Sequence, residues 1–236
     1  MENVRKGDRS AQATTRIRRP SRQVLTDGAY EALKGLIMDH QVGPGERLNI
    51  DELARQLDVS ATPVREALAR LESDGLVTKR PLSGYAVTEL LDITSLGNLF
   101  EIRHVLEPYT ARKAATRATA EDIKALKKVA AAMKTDNLGA AYGQYKGFAA
   151  HDTEFHALIA RTSGNPMLEQ TLSGLHFHWH LYRLHFAAEV GVDTAAEHQA
   201  IVTAVADHDP EAAAEAMERH LRQSEERLIE AAKKAT

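Results

Sequence analysis

Cysteine is absent from the 236 residues, which excludes disulfides and thiolate-held metals, so any metal must sit on imidazole and carboxylate. No apolar run reaches the roughly 18 residues that a membrane span needs, and no secretory signal is evident. The expectation is a cytoplasmic protein with no membrane partner. Internal repeats and long low-complexity tracts are lacking too, and the Ala, Leu and Glu content is that of a helix-rich globular chain. A strong positive charge is also missing: the net charge is −3, which would argue against nucleic acid if it were evenly spread. It is not. Residues 1–88 hold 14 Lys+Arg against 12 Asp+Glu, and the remainder holds 16 against 21. Arg5, Lys6, Arg9, Arg16, Arg18, Arg19 and Arg22 crowd the start among few apolar residues, so residues 1–25 are expected to form a disordered basic arm.

Residues 26–90 read as a first folded domain. Tyr30, Leu33, Leu36 and Ile37 mark one amphipathic helix, and Gly43-Pro44-Gly45 marks a turn. The stretch from Leu53 to Leu68 then reads as two short helices joined tightly. Val64, Ala67, Leu68 and Leu71 recur at i, i+3, i+4 and i+7 as the buried stripe of the second, leaving Ser60, Thr62 and Arg65 at its leading edge. That arrangement puts a helix N-terminus into the major groove of double-stranded DNA. Pro63 suits a first helical turn and Gly75 ends the helix. Two strands, 76–80 and 85–88, joined by Pro81-Leu82-Ser83-Gly84, predict a hairpin carrying Lys79 and Arg80. Three helices and a hairpin make a winged helix.

Residues 91–236 carry a helical pattern throughout. Six helices are expected, near 93–117, 121–133, 140–162, 166–186, 194–206 and 210–232, with Pro108 kinking the first. The fold class is therefore mainly α: an N-terminal winged helix-turn-helix domain followed by an all-α helical bundle.

Within that bundle, metal-competent side chains stand where apolar ones are expected. Asp152 and His156, at i and i+4, share a stripe with Phe148, Phe155 and Ile159, which sets their Cβ atoms roughly 5 to 6 Å apart. His198 lies on the face of Ile201, Val202 and Val205, and His220 on that of Ala213, Met217 and Leu221. A carboxylate and three imidazoles in a core are costly unless something pairs them, and one divalent cation would satisfy all four. Three imidazoles and a carboxylate suit zinc, nickel, iron, manganese or cobalt rather than calcium, with zinc or nickel favoured. Arg103 is a second anomaly on an apolar stripe; its guanidinium wants a planar anion, either a carboxylate ligand or Glu107 one turn on. His176, His178, His180 and His185 alternate around Trp179 and face different ways, which suggests an amphipathic helix with partly exposed histidines.

The first domain resembles the GntR family of bacterial regulators through Val59-Ser60-Ala61-Thr62-Pro63-Val64-Arg65-Glu66-Ala67-Leu68. That resemblance implies DNA contacts from Ser60, Thr62, Arg65 and the wing, with Gly84 letting the wing approach the phosphate backbone. Many members carry arginine where this chain has Ala61, so their operator sequence does not transfer. The second domain is similar to the ligand-binding FCD domain of the FadR subfamily in Glu101-Ile102-Arg103, Asp152-Thr153-Glu154-Phe155-His156, Ser163-Gly164-Asn165-Pro166, Glu197-His198 and Arg219-His220-Leu221. The resemblance implies the metal-binding type, with Arg103 and Asn165 contacting a small carboxylate effector. A count of six helices fits the shorter VanR-like branch.

The expected function is that of a transcription regulator, in the form of a repressor: a homodimer on a two-fold operator, controlled by the carboxylate. The alternative is a metal-dependent enzyme acting on small organic acids with an attached DNA-binding module. Against it, Glu154 lies about 200° around the helix from Asp152, and no His-Glu-x-x-His occurs.

Overall fold

Three helices and a small sheet open the chain, and seven helices follow, in a computed structural model that describes residues 22–81, 84–136, 138–184 and 188–234. Helix α1 (Arg22–Met38) precedes a two-residue strand β1 (Arg47–Leu48), then α2 (Ile50–Gln56), α3 (Ala61–Ser73), β2 (Val77–Arg80) and β3 (Gly84–Val87). Asn49 caps α2, its side chain accepting from the backbone of Asp51 and Glu52, which satisfies amides a helix start leaves open. Asp58 at φ 51° turns the chain into α3, and Gly75 at φ 73° ends the excursion after it. Val64, Ala67, Leu68 and Leu71 are fully buried together with Leu33 and Ile37 of α1. Truncating one such leucine to alanine costs about 2–5 kcal/mol.

The wing has three strands in the order β1-β3-β2, with Arg80 opposite Gly84 and Arg47 opposite Ala86. The hairpin was expected and β1 was not, because two residues are too few for an alternating pattern. Leu82 and Ser83 of the hairpin turn lie outside the described residues.

Helix α1 begins at Arg22, so residues 22–25 are helical and not part of an arm. Arg22 pairs with Glu66 of α3, and Thr26 donates to the same carboxylate at 2.7 Å. Residues 1–21 lie outside the described residues.

The bundle comprises α4 (Ile93–Arg117), α5 (Ala120–Ala132), α6 (Tyr142–Thr162), α7 (Pro166–Gly174), α8 (Phe177–Leu184), α9 (Ala188–Ala206) and α10 (Pro210–Lys234). Helix α4 runs on through Pro108 and makes its most extensive contacts with α10, which also lines α9. Among the described residues seven helices stand where six were expected, so the helix count does not support the VanR-like branch. The expected helix 166–186 is two: α7 stops at Gly174, and His176 takes a left-handed φ of 48° before α8 starts. A histidine is no composition-level breaker. What holds it there is tertiary, since its side chain packs so closely on Gly75 that a Cβ at Gly75 would lie 3.2–3.3 Å from its Cβ and ring. The apolar core is continuous from α1 and α3 into α4, α5, α6, α9 and α10. Among the described residues, no helix is long and apolar enough to cross a membrane.

Candidate functional site

Two places concentrate chemistry. The first is the leading edge of α3. Ser60 is its N-cap and forms no side-chain cap hydrogen bond; it, Thr62 and Arg65 are exposed, while Pro63 and Val64 between them are buried. The helix therefore offers polar side chains on a scaffold held from behind. On the wing, Lys79 and Arg80 are exposed at the end of β2, and Gly84 faces them at φ 82° with open space where a Cβ would be. A glycine there takes the left-handed turn without strain and lets the wing tip approach a flat surface.

The second is buried. His156 of α6, His198 of α9 and His220 of α10 each turn one ring nitrogen inward, and these atoms lie within 4.8 Å of one another. Asp152 Oδ1 is 3.5 Å from His198 Nε2 and 3.9 Å from His156 Nε2. The outward nitrogens are all engaged. Glu107 accepts from His156 Nδ1 at 2.5 Å, Glu197 accepts from His220 Nδ1 at 2.7 Å, and the Met133 sulfur lies 3.3 Å from His198 Nδ1. An acceptor at Nδ1 keeps the proton there and leaves Nε2 a lone pair, the state of a metal ligand with its supporting partner.

Electrostatics agree. Burial pushes the imidazoles of His198 and His220 below their usual range, so they stay neutral. Burial raises the Asp152 carboxyl, but the hydrogen bond and charge of His178 and the charges of His198 and His156 outweigh it and hold the group well below the carboxylate range. Arg103 and His156 do the same for Glu107. Asp152 Oδ1 and His198 Nε2 are buried without a hydrogen-bond partner. Such orphaned groups cost free energy unless something meets them, and a divalent transition metal fits this donor set.

Arg103 is 1% exposed and gives its Nε to Glu107 Oε1 at 2.5 Å. Its Nη1 has no partner and is buried. So Arg103 has an anchored edge and an open one, and it lines a cavity of about 40 Å³ with Asp152, His156, Tyr182, His220 and Ser224. A larger cavity, about 340 Å³, opens behind His156 and Glu107 between Leu172, Trp179 and Asp74. The structure does not bring Asn165 to Arg103: it is exposed, caps α7 by accepting from Met167 N–H at 3.1 Å, and lines neither cavity.

Sequence reasoning missed the supporting shell. His178, expected to be partly exposed, is buried with Nδ1 3.0 Å from Asp152 Oδ2, and Tyr182 donates to the same oxygen at 3.1 Å. Their i, i+4 spacing was the available signal. Glu197, fixed also by Arg227 at 2.6 and 3.0 Å, was visible only as the acid beside His198. His185 lies outside the described residues.

Residues 98–223 match the FCD domain, and residues 25–87 match the bacterial regulatory proteins of the gntR family. The Uxu operon transcriptional regulator of Escherichia coli K12 is 30% identical, over 92% of this chain and 90% of that one. The HTH-type transcriptional repressor NanR of Escherichia coli is 30% identical, over 87% and 85%. Among solved structures, Escherichia coli McbR/YncC superposes with a TM-score of 0.65 over 87% of this chain and 97% of that one, at 23% identity, which is a likeness of fold.

Proposed function

The chain belongs to the GntR family of bacterial regulatory proteins and carries an FCD domain, and from that premise we propose a repressor whose hold on its operator is set by a small carboxylate bound beside a metal. A DNA-binding transcriptional regulator of this family is not an enzyme, and the exposed Glu154 offers no base near the cluster. The observation that carries the finer reading is the triple of inward imidazole nitrogens beside a buried, unpartnered carboxylate oxygen.

Asp152, His156, His198 and His220 would hold a divalent transition metal, zinc or nickel by donor type, which when bound supplies coordination positions for an oxygen anion. Glu107, Met133 and Glu197 keep the three imidazoles in the right tautomer. Arg103 offers its open Nη1 edge to a carboxylate in the adjoining cavity, a charge-assisted contact. At the other end, Ser60, Thr62, Arg65 and Arg80 meet operator DNA, with the wing backbone brought close at Gly84. A homodimer presents two such units to a two-fold operator. A protein with this role works in the cytoplasm, beside its operator.

The test is operator affinity measured with and without a panel of small hydroxy acids and sugar acids. Tenfold control of affinity needs the ligand to distinguish two dimer arrangements by about 1.4 kcal/mol. Arg103→Lys keeps a cation for Glu107 but loses the open planar edge, so the response should shrink about tenfold with metal content and basal operator binding intact. An undiminished response in Arg103→Lys refutes the carboxylate assignment.

A further inference from the structure

Helix α8, eight described residues long, touches both the buried cluster's surroundings and the winged-helix domain. His178 and Tyr182, one turn apart, both donate to Asp152 Oδ2, at 3.0 and 3.1 Å. Trp179 and Arg183 follow each of them by one residue, about 100° around the helix, and meet the winged-helix domain. The Trp179 ring lies under Lys34 of α1, with Nζ 3.4 Å from the ring centroid. Arg183 Nη2 donates to the Thr88 carbonyl just past β3 at 2.6 Å, and His40 Nε2 donates to the Arg183 carbonyl at 2.9 Å.

Lys34 extends the chain of contacts. It is 5% exposed, its ammonium donates to the Tyr30 hydroxyl at 3.0 Å, and that hydroxyl donates to Asp74 Oδ2 at 2.5 Å. Asp74 is the C-cap of α3. The shell of the buried carboxylate is thus joined to the C-terminal end of α3 through one short helix and two side chains. A buried ammonium whose nearby partners are an aromatic face and a phenol is sensitive to where that face stands, because burial has removed the water that would replace it.

We propose that α8 couples the metal site to the DNA-binding domain, with Trp179–Lys34 as its working contact. This rests on the metal site proposed above. Seating Asp152 against a metal sets the position of His178 and Tyr182; α8 carries that position to Trp179 and Arg183; Lys34 and Thr88 pass it to α3 and the wing. Coupling of this kind is reciprocal, so operator DNA must alter metal affinity by the same factor as metal alters operator affinity.

Trp179 is the one tryptophan of the chain, so its emission reports on this contact directly. The experiment measures zinc stoichiometry, Trp179 emission, and operator affinity in zinc-loaded and chelator-stripped full-length protein. Zinc loading should change wild-type Trp179 emission and shift operator affinity about tenfold. Lys34→Met keeps the buried stem and removes the charge; it should still bind one zinc but bring that affinity ratio to about one, and abolish the effect of operator DNA on zinc affinity. Arg183→Met serves as a second variant, with the ratio reduced. If zinc binds while wild-type emission or operator affinity does not respond, or if both variants keep the wild-type ratio, the coupling is overturned and the site stands. If neither zinc nor nickel binds, the coupling and the site fall together, and the stoichiometry tells the two failures apart.

Discussion

Arg65 and Arg103 are the same residue on two helices, and their surroundings give them opposite jobs. Arg65 is exposed on α3, with the buried Val64 and Leu68 doing the packing beside it. Arg103 is buried on α4, clasped by Glu107 and stacked over Phe177 at 3.9 Å. An exposed cation is held ready for a partner outside the chain and contributes little to stability. A buried one is part of the fold, because removing it strands its carboxylate in the interior. The exposed edge of α3 and the histidine cluster differ in the same way: polar groups on a scaffold in one, polar groups as the scaffold in the other.

The sharpest way to break the comparison is to remove each charge. Arg103→Ala leaves Glu107, 2% exposed, with only His156 as a partner, and should cost about 3–5 kcal/mol of stability. For a chain of this size that is a fall in Tm of about 6 to 20 °C by calorimetry. A loss below about 1 kcal/mol would mean the ion pair is not part of the scaffold.

Metal removal comes next. If Asp152, His156, His198 and His220 bind an ion only when folded, free metal at about a hundredfold excess over Kd stabilises by about 2.7 kcal/mol. Chelation should then lower Tm by about 5 to 10 °C, restored by zinc or nickel, and His198→Ala should lose most of that response. Identical melting curves with and without chelator would remove the metal from the reading.

Arg65→Ala should act on binding and spare the fold. A lost base contact costs about 1–3 kcal/mol of operator affinity, whereas a lost phosphate contact lowers the salt slope by about 1. Stability should stay within about 0.5 kcal/mol of wild type. Unchanged affinity and slope in filter-binding titrations would refute the docking of α3.

The smallest effect is a pH dependence at a histidine of α8 that is no part of the metal donor set. His180 is pushed down to about 4, first by burial and then by the charges of Arg183 and His176, and its Nδ1 is buried without a partner. Above the unfolded value of about 6.5 both states are neutral and nothing is lost. Below it the unfolded chain takes up a proton that the folded chain refuses, so stability falls with falling pH until about 4, by about 1 kcal/mol between pH 6.5 and 5 after allowance for partial exposure. His180→Gln should flatten that part of the Tm profile. An unaltered profile would place the ring in water.

How much could be read in advance follows the same divide. The stripe Val64, Ala67, Leu68, Leu71 and the exposed Ser60, Thr62 and Arg65 were legible because helical period alone sorts them. Asp152, His156, His198 and His220 were legible as polar residues at apolar positions, an anomaly that period also exposes. The place of Asn165 was not legible, because a motif says nothing about whether its side chain is busy capping a helix. Glu107 was legible only as one of two partners for Arg103, and its contact with His156 spans 49 positions.

Local order decided the rest of what the sequence determined by itself: two domains, a winged helix before a bundle, a polar edge on α3, and a set of buried metal-type donors. These depend on neighbours a turn apart, and side-chain period encodes such neighbours directly. The tertiary structure alone decided that Glu107, Glu197 and Met133 orient the three imidazoles, that Arg103 has one bound edge and one open, that β1 joins the wing, and that the chain breaks at His176 to make α8. Each of those depends on groups far apart in sequence, such as His176 against Gly75 or Arg183 against Thr88, and such meetings exist only once the core has brought the two domains together.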